Sequence, residues 1–321
     1  MPLTFTPLSE NVGLQVSGLD LSKDIDEPTK QEILDAWVKA GVLLFRDAAA
    51  DEAAHMRLSH VFGEPELPAF RDLRVETNPF LLRFAYEPDN EAIRKRKSIY
   101  IVNGVERAGW LGWHWDQSFM PQIVRGAVFR MIEPSPTDGQ TGFIDAIAAY
   151  DRLPDALKHR IDKLEVVYSY TGAQEKNRFG YPEVRIPDGR DVTGTPSDPN
   201  RHKFPPSVHP LVITQMETGR KVLKLSPMNA QSILGMEPEE SDALLHRLAD
   251  HLVDDRFAYY HEYEKNDMIV WDNWRMIHSA RGCPLDETRI AERTTIVGDY
   301  GHGRYLDETL DRDRVFGRIN D

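Results

Sequence analysis

The sequence predicts a mixed α+β fold in which a double-stranded β-helix, or jelly roll, forms the core and a few helices cover it. Three observations predict this fold. Short apolar runs rich in β-branched residues recur along the chain, as is typical of strands. A few longer segments carry apolar residues at helical spacing. Glycine- and proline-containing stretches separate these segments and mark turns and loops.

Four segments predict helices. Residues 30–40 carry apolar side chains at helical spacing, and Gly41 is a typical residue at a helix end. A second helix is predicted over residues 52–62 and a third over residues 155–164, which follow a proline. The fourth covers residues 238–253, where acidic residues at the start suit the positive end of the helix dipole.

Short strands are predicted between these helices. They are runs of four to six residues with few charges, and none is long enough for a helix of typical length. The predicted strands cover residues 42–45, 98–102, 125–130, 221–225 and 267–271.

Residues 180–206 form the least regular part of the chain. Six prolines and several glycines and charges occur there. Long segments without regular structure in a compact domain are often functional covers of a site. We therefore expect residues 180–206 to be a loop that acts as a lid, although a plain surface loop is the alternative. We expect residues 1–321 to form one domain.

Two candidate metal ligands stand one residue apart, at His114 and Asp116. Read as a strand, this segment presents the imidazole and the carboxylate on the same face. His278, far along the chain, is a third candidate. Two histidines and one carboxylate leave three metal positions open and suit non-haem Fe(II). Because a His-x-Asp pair alone is common by chance, this prediction depends on the residues that accompany it.

Two arginines accompany the candidate ligands. Arg289 and Arg293 follow His278 by eleven and fifteen residues and fall on one face if residues 289–298 form a strand. Guanidinium groups on an inward face are costly unless anions meet them. Arginine holds a carboxylate with a planar fork, so a co-substrate with two carboxylates is the expected partner.

With these residues, the chain resembles the taurine dioxygenase/2,4-dichlorophenoxyacetate dioxygenase (TauD/TfdA) family. The similarity extends over almost the whole chain and includes the tryptophan-aspartate-asparagine run that comes before His278. The stretches that carry it are residues 6–8, 18–21, 41–47, 62–64, 138–141, 148–153 and 271–273.

The resemblance implies an Fe(II)- and 2-oxoglutarate-dependent oxygenase that consumes O2 and releases succinate and CO2. His114, Asp116 and His278 would bind the iron. Members of related halogenase type carry a small residue where this chain has Asp116, so the resemblance implies hydroxylation. Ring closure and desaturation are further oxidative outcomes that stay open.

The resemblance also assigns the co-substrate. Arg289 and Thr141 would hold the distal carboxylate of 2-oxoglutarate, and Arg293 would face the substrate or the keto-acid end of the co-substrate. In the family, residues 180–206 correspond to an insertion that often covers the active site. Family members commonly form dimers or tetramers, so we expect a homo-oligomer.

The expected substrate is a small, anionic organic compound, and taurine itself is not expected. An aryloxy or alkyl acid, a sulfonate or sulfate ester, and an amino-acid derivative stay open. Taurine dioxygenases use a histidine and an asparagine at positions where this chain has Pro68 and Trp110. Arg293 remains as an anion contact. The other segments that border the family's pocket add further aromatic residues, which would suit a bulkier or aromatic acid, or else fill the core. The candidate substrate residues are Trp110, Phe119, Tyr168, Tyr170 and Arg293.

Composition restricts the partners. A net charge of −13 disfavours nucleic acid and anionic membrane surfaces. No apolar stretch approaches the roughly 18–20 residues of a membrane span, and we find no signal sequence. A single cysteine, Cys283, excludes an intramolecular disulfide framework and suits a reducing compartment. We therefore expect a cytoplasmic protein.

Two other function classes stay open at this point. A zinc-dependent hydrolase could use the same ligands to activate water, but it does not explain Arg289 and Thr141. A catalytically silent jelly-roll binding protein could retain the triad as a relic, but every triad position is intact.

Overall fold

The structure is a computed structural model that describes residues 2–46, 51–96, 99–180, 182–192 and 204–314. Its helices are α1 Glu27–Ala40, α2 Glu52–Phe62, α3 Glu91–Arg96, α4 Ala146–Asp151, α5 Asp155–Ile161 and α6 Pro238–Leu252. Its strands are β1 Thr4–Pro7, β2 Leu14–Ser17, β3 Val42–Phe45, β4 Arg74–Val75, β5 Asn78–Tyr86, β6 Ile99–Val102, β7 Val105–Ala108, β8 Leu111–His114, β9 Gly126–Glu133, β10 Thr141–Asp145, β11 Glu165–Tyr168, β12 Val184–Arg185, β13 Ser207–Pro210, β14 Val212–Thr214, β15 Lys221–Leu223, β16 Ala230–Ile233, β17 Tyr259–His261, β18 Met268–Asp272, β19 Met276–Ala280, β20 Arg289–Ile296 and β21 Arg304–Tyr305.

Two antiparallel sheets form the centre of the fold. The larger has eight strands in the order β1-β2-β3-β18-β9-β20-β5-β4, with β2 and β3 as a parallel pair inside it. The smaller has four strands in the order β17-β10-β19-β8. Two further sheets, β16-β11-β13-β21 and β12-β6-β7, and the hairpin β14-β15 lie beside them. The predicted mixed α+β class is confirmed.

Helix ends follow local capping chemistry. The Asp26 side chain accepts a hydrogen bond from the backbone N–H of Thr29, so α1 begins three residues before the predicted start. Gly41 has a φ of 75° and ends α1 in the left-handed conformation that glycine favours. The Asp51 side chain accepts from the N–H of Ala54, and α2 has its predicted bounds. The third and fourth predicted helices are present and end slightly earlier, as α5 and α6.

The predicted strands are present with shifts of one to three residues. The described part of the strand predicted over residues 98–102 is β6. The strand predicted over residues 125–130 extends to Glu133 as β9, and the strand predicted over residues 267–271 is β18. The strand predicted over residues 221–225 ends at Leu223 as β15. Strand β3 has its predicted bounds.

The core lies between the two central sheets and under the helices. The ring of Phe143, on β10, packs 5.8 Å from that of Trp271, on β18, between the two sheets. On the other face of the larger sheet, α1 and α2 pack Trp37 and Phe62 against Val128 of β9, with the two aromatic rings 5.0 Å apart. Burial of such large apolar side chains contributes about 1.5–3 kcal/mol each to the stability of the fold.

The predicted lid over residues 180–206 is described only at its two ends, and residues 193–203 lie outside the described residues. Strand β12 lies in the first part of this segment and pairs with β6. The lid and the single domain over residues 1–321 stay predictions. Among the described residues, no helix has both the length and the apolar character needed to cross a membrane.

Candidate metal centre and adjoining cavities

The three candidate metal ligands meet at the smaller central sheet. His114, at the end of β8, lies opposite His278, on β19, in the antiparallel register. Asp116 follows β8 in a turn, so the prediction of one strand through both 114 and 116 is wrong. The strand ends because Gln117 has a φ of 63°, which an extended strand does not allow. The turn nevertheless brings the carboxylate to both imidazoles.

The three side chains form a compact donor set. Their ligand atoms all lie within 4.8 Å of one another, and all three residues are buried. Nε2 of His114 is 3.8 Å from Oδ1 of Asp116, and Nε2 of His278 is 3.8 Å from Oδ2. In the described part of the chain, no other group of three His, Cys, Asp or Glu side chains has spacing suited to a metal.

A hydrogen bond prepares one imidazole for metal binding. Nδ1 of His114 lies 2.8 Å from the carbonyl oxygen of Gly112. Because a carbonyl only accepts, Nδ1 carries the proton, and Nε2 keeps its lone pair on the side of Asp116. Two imidazole nitrogens and a carboxylate in this arrangement fit the facial donor set of non-haem Fe(II).

Burial and charge set the protonation of the three groups. Burial lowers the pKa of His114 and lowers the pKa of His278 well below its usual value, so both imidazoles are neutral at neutral pH. Burial would raise the pKa of Asp116, but Arg293 and the two histidines outweigh it and lower this pKa to about 2. The site therefore holds the ligand forms that a divalent cation requires.

Arg293 connects the donor set with the rest of the site. It lies on β20, and its Nη1 donates to both carboxylate oxygens of Asp116 at 3.1 Å. Its Nε is buried and has no hydrogen-bond partner among the described residues. Arg293 also lines both cavities that adjoin the donor set.

Asn273 fixes the backbone that carries Asp116. Its Oδ1 accepts from the N–H of Asp116 at 2.7 Å, and its Nδ2 donates to the carbonyl oxygens of Asp116 at 3.1 Å and Val124 at 3.0 Å. The Asn273 side chain is fully buried. The turn between β18 and β19 therefore holds the loop that follows β8.

The smaller of the two cavities has a volume of about 120 Å³, and Thr141 and Arg289 line it together with His114 and His278. Nε of Arg289 donates to the carbonyl oxygen of Gly139 at 3.0 Å. Gly139 has a φ of +85°, and a Cβ there would lie 2.9 Å from Arg289 Cδ, so this approach requires glycine.

Arg289 has no carboxylate partner among the described residues. Burial lowers its pKa, which shows that the guanidinium is poorly compensated. Aromatic rings flank it instead, with the centre of Phe129 5.5 Å and the centre of Tyr263 5.6 Å from Cζ. The Tyr263 hydroxyl donates to Oγ1 of Thr141 at 2.9 Å. A small cavity with an unpaired guanidinium suits an anion.

The larger cavity has a volume of about 240 Å³ and an aromatic wall. Trp110, Phe119 and Tyr170, which were predicted from the sequence, line it. Pro68 lies in the same wall. Phe70 joins Phe119 and Tyr170 in a cluster of rings with Phe204, which follows residues 193–203. We call Phe70, Phe119, Tyr170 and Phe204 the aromatic cluster.

Tyr168 does not line either of the two cavities, so the structure gives no support to its predicted place at the substrate. It is fully buried and packs edge-on against Trp115, with ring centres 5.4 Å apart. Its hydroxyl donates to the carbonyl oxygen of Lys224 at 3.4 Å and accepts from the N–H of Ser226 at 3.2 Å. Strand β11 ends at Tyr168, so the alternation that would put residues 168 and 170 on one face does not continue. Tyr168 packs in the core and Tyr170 lines the larger cavity.

Several residues of the site were not predicted. Asn273 belongs to the tryptophan-aspartate-asparagine run at 271–273, which precedes His278. The sequence motif could therefore have indicated that Asn273 belongs to the site. Tyr263 and Phe70 lie in segments without a recognisable motif, and their contacts with Thr141 and Phe119 join distant parts of the chain.

Fold and site together define a class of protein. Two neutral histidines and a carboxylate, placed between antiparallel sheets and open to two cavities, have the donor set that suits a mononuclear metal site of the two-His, one-carboxylate type. A family profile described as "Taurine catabolism dioxygenase TauD, TfdA family" matches residues 4–295. The chain belongs to the TauD/TfdA family, as its motifs predicted.

Characterised relatives agree with this assignment. The (S)-phenoxypropionate/alpha-ketoglutarate-dioxygenase of Sphingobium herbicidovorans is 31% identical over 295 residues, which cover 91% of this chain and 94% of the relative. Pentalenolactone F synthase of Streptomyces avermitilis is 27% identical, with 93% of this chain and 95% of the relative covered.

Solved structures show the same fold. AAD-2 in complex with Mn(II) and N-oxalylglycine has a TM-score of 0.68 and 26% identity, with 93% of this chain and 98% of that chain covered. A taurine dioxygenase from Burkholderia xenovorans has a TM-score of 0.72 and 24% identity, with 95% and 96% covered.

Family membership settles the reaction class. The chain is a non-haem iron dioxygenase that uses Fe(II), 2-oxoglutarate and O2 and couples oxidation of an organic substrate to the release of succinate and CO2. The prediction of reaction class and cofactors is confirmed. The zinc hydrolase and the silent binding protein are not favoured, since the relatives are named as 2-oxoglutarate-dependent dioxygenases.

Proposed function

We propose that His114, Asp116 and His278 hold the Fe(II) of this enzyme. The observation that carries the proposal is the buried donor set, whose ligand atoms lie within 4.8 Å of one another and whose residues line the two cavities. Bound iron supplies the activation of O2 that oxidises an unactivated C–H bond. The protein keeps the imidazoles neutral, holds Asp116 ionised through Arg293, and brings the substrate to one side of the site.

Arg289 and Thr141 hold the distal carboxylate of 2-oxoglutarate in this proposal. The supporting observation is a half-buried guanidinium that lacks a carboxylate partner among the described residues and shares a small cavity with a threonine hydroxyl. An anion there removes the cost of the unpaired charge. The cavity also reaches His114 and His278, so the other end of the same dianion can approach the metal.

Arg293 has two functions in this proposal. Its Nη1 bonds with Asp116 orient the carboxylate toward the histidines. Because its side chain lines both cavities, its remaining donors can meet the anionic group of the substrate or the keto-acid end of 2-oxoglutarate.

The substrate is a small acid with an aromatic or comparably bulky apolar part. Phe70, Phe119 and Tyr170 of the aromatic cluster supply an apolar wall together with Trp110, and Phe204 packs behind these rings. A volume of about 240 Å³ is below the roughly 300–1,000 Å³ of sites for drug-sized ligands. A relative named as a phenoxypropionate dioxygenase supports an aryl acid.

Taurine fits this cavity poorly. Where taurine dioxygenases have a histidine and an asparagine, the wall presents Pro68, which has no side-chain donor, and Trp110. A sulfonate would therefore not meet the histidine and asparagine side chains at these two positions. Taurine is therefore not expected to be the substrate.

Two structural proposals accompany this function. The two central sheets form a double-stranded β-helix, which their antiparallel pairing and the shared core between Phe143 and Trp271 support. Residues 180–206 cover the larger cavity, which the position of Phe204 in the aromatic cluster supports. A dimer or tetramer stays a prediction.

The experiment has two stages. Fe(II) is added without oxygen to metal-free protein, and 2-oxoglutarate is then titrated while the visible charge-transfer band of the chelate is recorded. The band should appear in the native protein. Succinate release is next measured with a phenoxyalkanoic acid, an alkyl sulfate and taurine, and we expect the aryl acid to be preferred. Faster turnover of taurine would contradict the substrate assignment, and absence of the band in folded, iron-loaded protein would contradict the site.

A further inference from the structure

We propose that Tyr263 is a positioning residue for 2-oxoglutarate. Its hydroxyl holds the Thr141 hydroxyl in the orientation that donates to the distal carboxylate of the co-substrate. This inference rests on the proposed function of Thr141 and Arg289 and adds a third residue to their site.

The first step is the direction of the hydrogen bond. The Tyr263 hydroxyl donates to Oγ1 of Thr141 over 2.9 Å. A threonine hydroxyl has one proton and can accept on its oxygen lone pairs at the same time. Because Oγ1 already accepts from Tyr263, the proton of Thr141 is free to donate to another group. Within the described residues, no acceptor takes that proton.

The second step is the protonation of Tyr263. Burial raises the pKa of its hydroxyl well above the usual value for tyrosine, and this effect outweighs the nearby charge of Arg289. The phenol is therefore protonated at neutral pH and can act as a donor. A chain of two hydroxyls, from Tyr263 through Thr141, ends at the smaller cavity, where Thr141 is part of the wall.

The third step is the position of the chain relative to the arginine. The Tyr263 ring centre lies 5.6 Å from Cζ of Arg289 and 5.6 Å from the ring centre of Phe129. The aromatic ring thus packs beside the guanidinium while the hydroxyl reaches Thr141. An anion in the cavity would accept hydrogen bonds from the charged guanidinium of Arg289 and from the neutral hydroxyl of Thr141. The bond that Tyr263 donates to Thr141 strengthens the hydrogen bond from Thr141 to the anion.

The ring and the hydroxyl of Tyr263 can be separated by substitution. Tyr263→Phe keeps the ring beside Arg289 and removes only the hydrogen bond. Tyr259→Phe is the matched control, because Tyr259 lies on β17 and its hydroxyl bonds with Nδ1 of His261 at 2.8 Å and not with Thr141. Both variants lose one tyrosine hydroxyl bond from the same segment.

The measurement is the affinity of the full-length, Mn(II)-loaded protein for 2-oxoglutarate, determined by calorimetric titration in the absence of turnover. We expect Tyr263→Phe to weaken this affinity about two- to tenfold, the range of one net hydrogen bond. Tyr259→Phe should bind as the native protein does. In turnover assays, Tyr263→Phe should raise KM for 2-oxoglutarate more than it lowers kcat.

A double-mutant cycle with Thr141→Ala tests whether Tyr263 acts through Thr141. Tyr263→Phe should have no further effect on the affinity when Thr141 is alanine. It should keep its effect when Thr141 is serine, which retains the hydroxyl. Additive losses in the alanine background would overturn the positioning role, since Tyr263 would then act on the co-substrate by another path.

Arg289→Ala separates this inference from the proposed function. If Arg289→Ala weakens binding of 2-oxoglutarate and Tyr263→Phe does not, the inference fails and the site stands. If neither variant changes the affinity, the proposed co-substrate site fails as well. Should Tyr263→Phe not fold, Thr141→Ala and Thr141→Val remain as tests, because loss of the relay predicts that both weaken binding to the same extent.

Discussion

Among the single residues of the site, Asp116 is a buried carboxylate that lies next to a guanidinium and two imidazoles. Its carboxylate meets Arg293 at 3.1 Å and lies 3.8 Å from an imidazole nitrogen of each histidine. Burial opposes its ionisation, and the neighbouring positive charge restores it. Because the two imidazoles are neutral, Asp116 is the single negatively charged group among the three proposed ligands. Asp116 is therefore the residue whose loss should be least tolerated by the metal site.

Asp116→Ala should abolish iron binding and 2-oxoglutarate turnover. The substitution removes one of three ligands and leaves the Arg293 guanidinium unpaired beside the histidines, where it repels a cation. Iron content after gel filtration and succinate release measure the two effects. Asp254→Ala, which removes a carboxylate paired with Arg256 away from the site, serves as control. Native iron content in Asp116→Ala would exclude Asp116 from the ligand set.

Tyr168 and Phe119 should respond differently to substitution. Tyr168→Phe leaves the carbonyl of Lys224 and the N–H of Ser226 without their partner, so we expect a loss of about 1–3 kcal/mol in the free energy of unfolding. Substrate KM should not change. Phe119→Ala should raise KM for an aryl acid about tenfold or more through lost apolar contact.

Urea unfolding and steady-state kinetics on both variants check this contrast. Equal KM values for Phe119→Ala and the native enzyme would remove the aromatic cluster from the substrate site. A raised KM in Tyr168→Phe with unchanged stability would instead restore the sequence-based assignment of Tyr168 to the substrate.

Sequence reasoning reached residues whose type or motif position is characteristic of the family, and it did not reach the residues that hold them in place, such as Asn273 and Tyr263. His114, Asp116 and His278 are recognisable because few residue types bind iron. Asn273 and Tyr263 are common residue types, and their function depends on partners 157 and 122 positions away. Such contacts exist only after folding, so no local pattern contains them.

Among the secondary-structure elements, the end of strand β8 determines where the Asp116 carboxylate lies. The strand stops at His114, and the following turn places Asp116 where a continued strand would not. The turn between β18 and β19 compensates for the lost ladder bonds, because the Asn273 side chain bonds with both backbone groups of Asp116. Two ligands on separate strands and one on a turn are thereby held as a unit.

Asn273→Ala should weaken Fe(II) binding about 10- to 100-fold, the range found for groups that orient metal ligands. It should also raise the ratio of succinate to hydroxylated product. A displaced Asp116 would shift the metal relative to the substrate, so that 2-oxoglutarate is consumed without oxidation of the substrate. Asn273→Asp keeps the acceptor for the Asp116 N–H but loses the donor, and an intermediate effect is expected. Anaerobic competition with a chelator measures the affinity. A lower melting temperature with unchanged iron affinity would show that Asn273 stabilises the fold only.

Helices with a capping residue or a clear apolar period were predictable from the sequence, and the six-residue helices α3 and α4 were not. Helix α2 begins at an Asp51 cap and was found with its bounds. Helix α4 has six residues, three of them buried, and its run of small apolar side chains has no helical period. Helix α3 lies inside a polar stretch that gave no apolar signal. For α4, packing of the buried side chains determines the conformation more than the local sequence does.

At the scale of the whole molecule, strand pairing joins segments that are remote in sequence. Strand β3 pairs with β18, and β20 lies between β9 and β5 in the larger sheet. Alternation shows which side of a strand is buried but not which strand lies next to it. The pattern of strands and helices suggested the fold class, and the family resemblance strengthened that prediction because it also implies how the strands pair.

Arg275 connects three distant parts of this fold. Its Nε and Nη2 donate to Asp145 at 3.0 and 2.6 Å, and its Nη1 donates to the carbonyl oxygens of Val38 and Lys39 at 2.8 Å. Asp145 is the last residue of β10, and Val38 and Lys39 lie in the last turn of α1. Arg275 itself comes just before β19, which carries His278. Both members of the Arg275–Asp145 pair are buried.

Arg275→Met should lower the free energy of unfolding by about 3–5 kcal/mol, because it leaves the Asp145 carboxylate buried without its partner. The double variant Arg275→Met with Asp145→Asn should recover part of this loss. An asparagine carries no charge and can still accept from the N–H of Ile147 at the start of α4. Urea unfolding of the two single variants and the double variant measures the coupling. If the double variant were as unstable as the sum of the single ones, the unpaired charge would not be the cause, and the carbonyls at the end of α1 would instead account for the contribution of Arg275.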